Sequence, residues 1–302
     1  MTLTAIKLNH RSSSMKIALF GHTYQEKYKT LLNDFVAYLQ STSELLMEKD
    51  FYTHLNTLGI DTHAATPFEQ QSLDGADLAV TIGGDGTMLG RAALLARLGI
   101  PVVGINTGHL GYLAACRLNE ARAMIEDIKA GRCHHENRTM LQLVSIDGKA
   151  CDNVIALNEI AILRQDTTSM ISLPTTINGT MLTTYKGDGL VISTPTGSTA
   201  YNMSVGGPII TPLTSCLTLS PISPHSLTMR PIVVSDESEI VVTINTRAQW
   251  IQVSVDGMAM TLPSGSTVKI ALAPYRLSVI QKEDHNFANT LREKLLWGAD
   301  QR

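Results

Sequence analysis

The sequence predicts an α/β domain joined to an all-β domain, on three observations. From Met15 to about residue 133, short apolar runs alternate with stretches of helical period. From about residue 134 the texture changes to many short strands rich in Val, Ile, Thr and Leu. Asn-Gly and Asp-Gly pairs punctuate that second half, and these pairs close tight hairpins. The first pattern builds a parallel sheet covered by helices; the second builds antiparallel sheets.

Lys16–Phe20 reads as the first strand and ends at Gly21, with helical segments near Tyr28–Leu39 and Ser43–Leu58. Asp77–Ile82 is the clearest buried strand, and it stops abruptly at Gly83-Gly84-Asp85-Gly86-Thr87. A helix over Met88–Leu98 follows, ended by Gly99 ahead of Pro101, because glycine accepts the left-handed turn and proline cannot continue a helix. Pro101–Ile105 is the next strand, with Asn106–Gly111 as its loop. In the second half, Val154–Leu163 is strand-like, and Asp147-Gly148, Asn178-Gly179 and Asp256-Gly257 mark hairpin turns. An amphipathic helix over Asn289–Trp297 is expected to return to the first domain. The expected division is a polar extension over 1–14, an α/β Rossmann-like domain over 15–133 completed by 282–302, and a β-rich domain over 134–281. No repeat, low-complexity tract or linker separates the halves, so a ligand is expected between them.

Composition narrows the function. The chain has 302 residues, 44% of them hydrophobic and 17% charged, which describes a folded globular protein rather than a disordered one. A formal charge of -3 and the lack of any long Lys/Arg run give no basic field for a nucleic-acid backbone, so phosphate binding must be local. The cysteines at 116, 133, 151 and 216 form no C-x-x-C pair and read as free thiols in a reducing compartment. Cys133-His134-His135-Glu136 carries metal-ligand residue types, but adjacent side chains in extended chain face opposite ways, so no metal site is expected there. There is neither an apolar stretch of about 18 residues nor a secretory core, and a cytoplasmic protein with no membrane segment is expected, starting at Met1 or Met15.

Three motifs carry chemistry. A strand entering Gly83-Gly84-Asp85-Gly86-Thr87 and then a helix gathers backbone N–H groups and a helix N-terminus into an anion cradle. Asp85 is its anomaly. A carboxylate beside phosphates is repelled unless a metal or a transferable proton intervenes, so it reads either as a proton acceptor or as a helix cap. The loop is neither a Walker A sequence nor G-x-G-x-x-G. The second motif runs from Gly187 to Tyr201 as GDGLVISTPTGSTAY, followed by Gly206-Gly207-Pro208. It offers hydroxyls, backbone donors and the Tyr201 ring, the groups an adenosine needs, with Ser198 or Thr199 placed to cap the segment from Ala200. Third, Asn158-Glu159 interrupts an apolar run; it is either functional or an edge pair.

Together these residues resemble the NAD kinase family. The resemblance covers about Ala76 to Trp297 and rests on GGDGT at 83–87, GINTGHLGYL at 104–113, Asn158-Glu159, the central motif at 187–201 and GGP at 206–208. The GGDG loop alone is shared with lipid kinases of the diacylglycerol type and with phosphofructokinases. The resemblance implies a Rossmann-like domain, a β-sandwich-type domain and NAD held between them. It implies transfer of the ATP γ-phosphoryl group to the 2′-hydroxyl of the adenosine ribose, with Mg²⁺ or another divalent cation carried by ATP and no protein metal site. Asp85 would be the general base, with Gly86 beside it and Gly83, Gly84 and Thr87 completing the phosphate loop. Asn158 and Glu159 would hold ribose hydroxyls or the second nucleoside. Asp188 would bind the nicotinamide end, often across a subunit contact, and Lys186 stands where some members carry Arg. Thr199, Ala200, Tyr201, Asn202, Met203 and Ser204 would line the adenine side. Ser169 stands where others carry a ligand-contacting His, Met258 where relatives have Gln, and Ala114-Ala115-Cys116-Arg117 where many continue with Thr-Asp. A homodimer or homotetramer is implied. Two other readings are a lipid or sphingoid kinase, which needs an apolar face and not the TPTGSTAY loop, and a non-catalytic NAD sensor, which would not need Asp85.

Overall fold

The computed structural model describes residues 14–22, 26–69, 73, 75–108, 111–165 and 170–295. Apart from Ser14, the extension expected at 1–14 lies outside the described residues, as do Ser169 and the chain beyond Leu295.

The α/β domain runs β1 (Lys16–Gly21), α1 (Lys29–Thr42), β2 (Glu44–Glu48), α2 (Lys49–Thr57), β3 (Ala65–Phe68), β4 (Leu78–Gly83), α3 (Asp85–Leu98), β5 (Val102–Asn106), β6 (Cys116–Arg117), α4 (Ala121–Lys129) and β7 (Cys133–Arg138). The first five strands pair in parallel in the order β3-β2-β1-β4-β5, the doubly wound order in which strands are added outward on one side of β1 and then, from β4, on the other. Successive side chains of a strand point to opposite faces, and β1 shows the consequence. Ile17 and Leu19 join the core with Leu32, Val36 and Leu39 of α1, whereas Ala18 and Phe20 join the core that contains Met88 and Ala92 of α3.

Two elements differ from the sequence reading. Ser43–Leu58 is not one helix: β2 comes first and α2 second. Leu45, Leu46 and Met47 form a continuous apolar run buried between β1 and β3, and a strand covered on both faces has no alternation to betray it. The third helix begins at Asp85 rather than Met88, because extended Gly84 caps it and an acidic first turn suits the positive end of the helix dipole. Gly99 ends it in the left-handed conformation at φ 67°.

The second domain runs β8 (Leu141–Ile146), β9 (Lys149–Ala150), β10 (Ile155–Ala156), β11 (Glu159–Arg164), β12 (Ile171–Ile177), β13 (Thr180–Gly187), β14 (Gly189–Ser193), α5 (Tyr201–Ser204), β15 (Cys216–Ile222), β16 (Ile232–Ser235), β17 (Ile240–Thr243), β18 (Trp250–Val255), β19 (Met258–Pro263) and β20 (Thr267–Leu272). One antiparallel sheet has the order β10-β8-β20-β17-β12-β13, with β9 beside β8; the other has β16-β15-β14-β11-β18-β19. Leu143, Ile162, Leu173, Ile192, Val253 and Ile270 belong to the core they share. Asp147-Gly148, Asn178-Gly179 and Asp256-Gly257 turn the hairpins with positive φ at both residues, the condition that restricts such turns to Asn, Asp and Gly.

The chain then returns. β21 (Leu277–Lys282) lies between β5 and β7 in the first sheet, and α6 (Phe287–Leu295) follows. That sheet therefore takes in 133–138 and 277–282, across the limits drawn at 134 and 281, because a strand's own pattern does not say which sheet it will join. Met88, Ala92 and Leu95 of α3 share a core with Met140, Ile155 and Leu157. The helix that starts at Asp85 thus also docks the two domains.

Candidate active site

Strand β4 delivers the glycine loop to the start of α3, and its three glycines do different work. Gly83 has φ 154°, and a Cβ there would lie 2.2 Å from the Thr87 hydroxyl, so the fold itself requires glycine. A Cβ on Gly84 or Gly86 would meet nothing within 4 Å; their bareness keeps the loop open to a ligand. The loop borders a cleft of about 540 Å³ lined by Gly21, His22, Gly84, Gly86, Thr87 and Arg91, at the carboxyl ends of β1 and β4. That is the switch point of a doubly wound sheet, where such folds bind ligands.

Asp85 is fixed by the chain after β5. Its Oδ2 accepts the Tyr112 N–H at 2.7 Å and its Oδ1 the Leu113 N–H at 3.3 Å. This approach requires Gly111, since a Cβ there would fall 1.7 Å from Oδ1. Tyr112 keeps a buried hydroxyl with no hydrogen-bond partner in the protein, raised above the usual phenol range by burial and then by the Asp85 charge. Lys294, half-buried on α6, feels the same carboxylate: burial lowers its ammonium pKa while Asp85 pulls it upward.

Across the domain seam, Asp256 organises the Asn158-Glu159 segment. Its carboxylate accepts three backbone N–H groups, from Leu157 at 2.6 Å, Asn158 at 2.9 Å and Glu159 at 3.0 Å. Burial still raises the Asp256 carboxyl, against those three bonds. Glu159 is pushed up to about 7, by burial first and by the Asp256 charge second, against a backbone hydrogen bond from Tyr201. Its Oε2 is buried without a partner. The same segment anchors the central motif. Thr194 donates its hydroxyl to the Leu157 carbonyl at 2.6 Å, and a Cβ on Gly197 would fall 2.2 Å from the Asn158 carbonyl oxygen.

The residues of the central motif have separable roles. Asn202 is fully buried: its amide donates to the Ser198 and Pro208 carbonyls and its oxygen accepts the Ser220 hydroxyl. A Cβ on Gly207 would fall 2.1 Å from that oxygen, so the GGP turn and Asn202 hold each other. Tyr201 and Ser204 are exposed, while Thr199, Ala200 and Met203 are partly exposed. Lys186 and Asp188 lie elsewhere. β11 runs antiparallel to β14, with Glu159 opposite Ser193 and Leu163 opposite Gly189. Asp188, at 3.1 Å from Arg164, is therefore at the far end of β11 from Glu159, about five residues or roughly 17 Å along a strand. Met258 is exposed in its hairpin.

Sequence reasoning missed Asp256, which read only as the first residue of a turn. It also missed Arg138, fully buried on β7, which donates to the Thr196 hydroxyl at 3.3 Å and pairs with Glu136. Thus β7 reaches the central motif from the α/β side. The reading of 133–136 considered only adjacent residues. Alternate residues share a strand face, and His134 and Glu136 there meet His285, which follows β21.

A doubly wound sheet with an acidic glycine loop at its switch point, packed against a β-sandwich, is the architecture of a two-domain nucleotide-binding phosphotransferase. Residues 17–133 match the family model for the ATP-NAD kinase N-terminal domain, and residues 157–282 match that for the C-terminal domain. The chain belongs to the NAD kinase family. It is 42% identical to the NAD kinase of Bacteroides fragilis over 290 residues, covering 95% of this chain and all of the relative. It is 36% identical to the NAD kinase of Flavobacterium psychrophilum over 293 residues, with the same two coverages. The fold is also that of yeast NADH kinase complexed with NADH, at a TM-score of 0.86 and 21% identity over 97% of this chain and 90% of the other.

Proposed function

We propose that the chain moves the γ-phosphoryl group of ATP to the 2′-hydroxyl of the adenosine ribose of NAD, making NADP, with Asp85 as the general base. The observation that carries the role of Asp85 is its carboxylate, held in place by the chain after β5, on the loop whose flanking Gly84 and Gly86 line the cleft. Two backbone N–H groups hold it, and a carboxylate has about four acceptor positions, so capacity remains for a substrate hydroxyl. A ribose hydroxyl is a weak acid. Asp85 therefore orients it and takes its proton as the new phosphorus–oxygen bond forms.

Phosphoryl transfer depends mainly on positioning and on neutralising charge at the moving group. Gly84 and Gly86 at the start of α3 face the phosphates with backbone N–H groups, Thr87, whose own N–H bonds the Gly84 carbonyl, lines the cleft beside them, and Mg²⁺ arrives with ATP as part of the substrate. Asn158 and Glu159 hold ribose hydroxyls; with a pKa of about 7, Glu159 can donate or accept a hydrogen bond near neutral pH. The exposed ring of Tyr201 stacks on the adenine, flanked by Thr199, Ala200, Met203 and Ser204, while Asn202 sets the turn beneath them. Lys186 and Asp188 serve the nicotinamide end of NAD bound mainly to a neighbouring subunit, which fits their distance from Glu159 and makes the enzyme a homodimer or homotetramer. Among the described residues no helix is long and apolar enough to cross a membrane, and we place the enzyme in the cytoplasm.

The test is a coupled assay of the chain with NAD, ATP and Mg²⁺, read by a dehydrogenase that accepts only NADP. Steady NADP formation is expected. NAD binding without NADP formation would replace this reading with that of a nucleotide sensor.

A further inference from the structure

His134 and Glu136 share one face of β7, at the edge of the first sheet, and His285 approaches them from the turn between β21 and α6. One ligand atom from each lies within 4.8 Å of the others. His134 Nε2 is 3.4 Å and His285 Nδ1 is 3.6 Å from the same carboxylate oxygen, Glu136 Oε1. Both separations are longer than the roughly 2.7–3.2 Å of a good N–H···O hydrogen bond. They match the edge of another figure: a tetrahedral Zn²⁺ with bonds of about 2.0–2.1 Å holds its ligand atoms roughly 3.4 Å apart.

The surrounding groups orient these ligands. Arg138 occupies the other carboxylate oxygen, Oε2, leaving Oε1 directed at the two rings. His285 Nε2 lies 3.2 Å from the Thr290 hydroxyl on α6, the kind of outer contact that turns a ligating imidazole toward its metal. When Thr290 accepts that N–H, a neutral His285 presents its Nδ1 lone pair to a carboxylate. Two electron-rich atoms face one another only with a cation between them or a second proton on the ring. The Glu136 side chain is 10% exposed, His285 18% and His134 37%, so the cluster opens to solvent on the His134 side, where a fourth ligand can enter.

We propose that His134, Glu136 and His285 form a site for a divalent transition-metal ion of the Zn²⁺ class, distinct from the Mg²⁺ carried by ATP. Two imidazole nitrogens and one carboxylate suit Zn²⁺ better than Mg²⁺, which prefers oxygen ligands in an octahedron. The ion would tie the start of α6 to the β7 edge. Through Glu136, Arg138 and Thr196 it adjoins the central motif, so it fastens the returning C-terminal segment to a strand that supports the nucleotide loop.

The test is calorimetric titration of the chelator-treated chain with ZnCl₂, without nucleotide, alongside Co²⁺ absorption. One Zn²⁺ per chain is expected, with a Co²⁺ spectrum of tetrahedral type and a rise in melting temperature on metal addition. Affinity should fall at least tenfold in His134→Ala and in His285→Ala and remain unchanged in Cys133→Ser, whose side chain lies on the opposite face of β7. No uptake by the wild-type chain, or equal uptake by a His134→Ala/His285→Ala double variant, would overturn the site and leave an imidazolium–carboxylate pair only. If His285→Ala does not fold, the half-exposed His134→Ala decides the matter by the same titration.

Discussion

Asp85 and Asp256 are held in the same manner, and the purposes proposed for them are opposite. Each receives backbone N–H groups from a segment distant in sequence, two for Asp85 and three for Asp256. Asp256 spends its acceptor capacity on the protein and fixes the path of Leu157-Asn158-Glu159. Asp85 keeps capacity in reserve and stands beside two glycines with open space above them. A carboxylate whose acceptor positions the fold has filled holds structure, and one with positions left open can take a ligand.

That comparison can be broken by substitution. The largest effect is expected for Asp85→Asn, which should lower kcat on the order of 10³-fold in the coupled assay, within the range of general acid–base contributions. Asp256→Ala comes next. It leaves three N–H groups without their acceptor and should lower unfolding free energy by about 3 kcal/mol in urea titration, with a raised KM for NAD. Gly111→Ala should cost roughly 10- to 100-fold in kcat with a smaller loss of stability, because its Cβ would fall 1.7 Å from Asp85 Oδ1 and displace the base. A Gly111→Ala enzyme of full activity would mean that the hold on Asp85 is incidental.

The smallest effect is one of pH. Glu159 has a folded pKa of about 7 against 4.5 for the free side chain, so between those values the folded state binds the extra proton. Stability should therefore fall as pH rises through that window, by on the order of 3 kcal/mol once Glu159 is ionised. Glu159→Gln removes the titration. Its melting temperature should exceed that of the wild type by a few degrees at pH 8 and match it near pH 4.5; a constant gap across that range would assign the effect to packing.

The sequence announces what depends on local chemistry. The Asp-Gly and Asn-Gly hairpins, the αL stop at Gly99 and the glycine cradle are each dictated by a few adjacent residues, and all stand where the sequence places them. What it conceals depends on distant partners. Leu45-Leu46-Met47 has no strand period because both its faces are buried. The letters Asp256-Gly257 turn a hairpin whether or not the carboxylate binds three amides of a segment about a hundred residues earlier. Among the described residues, 133–138 reach the first sheet through 277–282, which pair in turn with β5, and the contact of His135 with Ser278 spans 143 residues. The membership of Asp85 and Glu159 in one seam follows from α3 packing on Ile155 and Leu157, a contact that no motif spells out.

The claim that Asp85 reacts while its surroundings bind is tested most directly by calorimetric titration of NAD into Asp85→Asn, performed without ATP. A Kd within a few-fold of the wild-type value is expected, alongside the loss of turnover. Loss of NAD binding in step with the loss of turnover would contradict it and make Asp85 a binding group like the rest of the cleft.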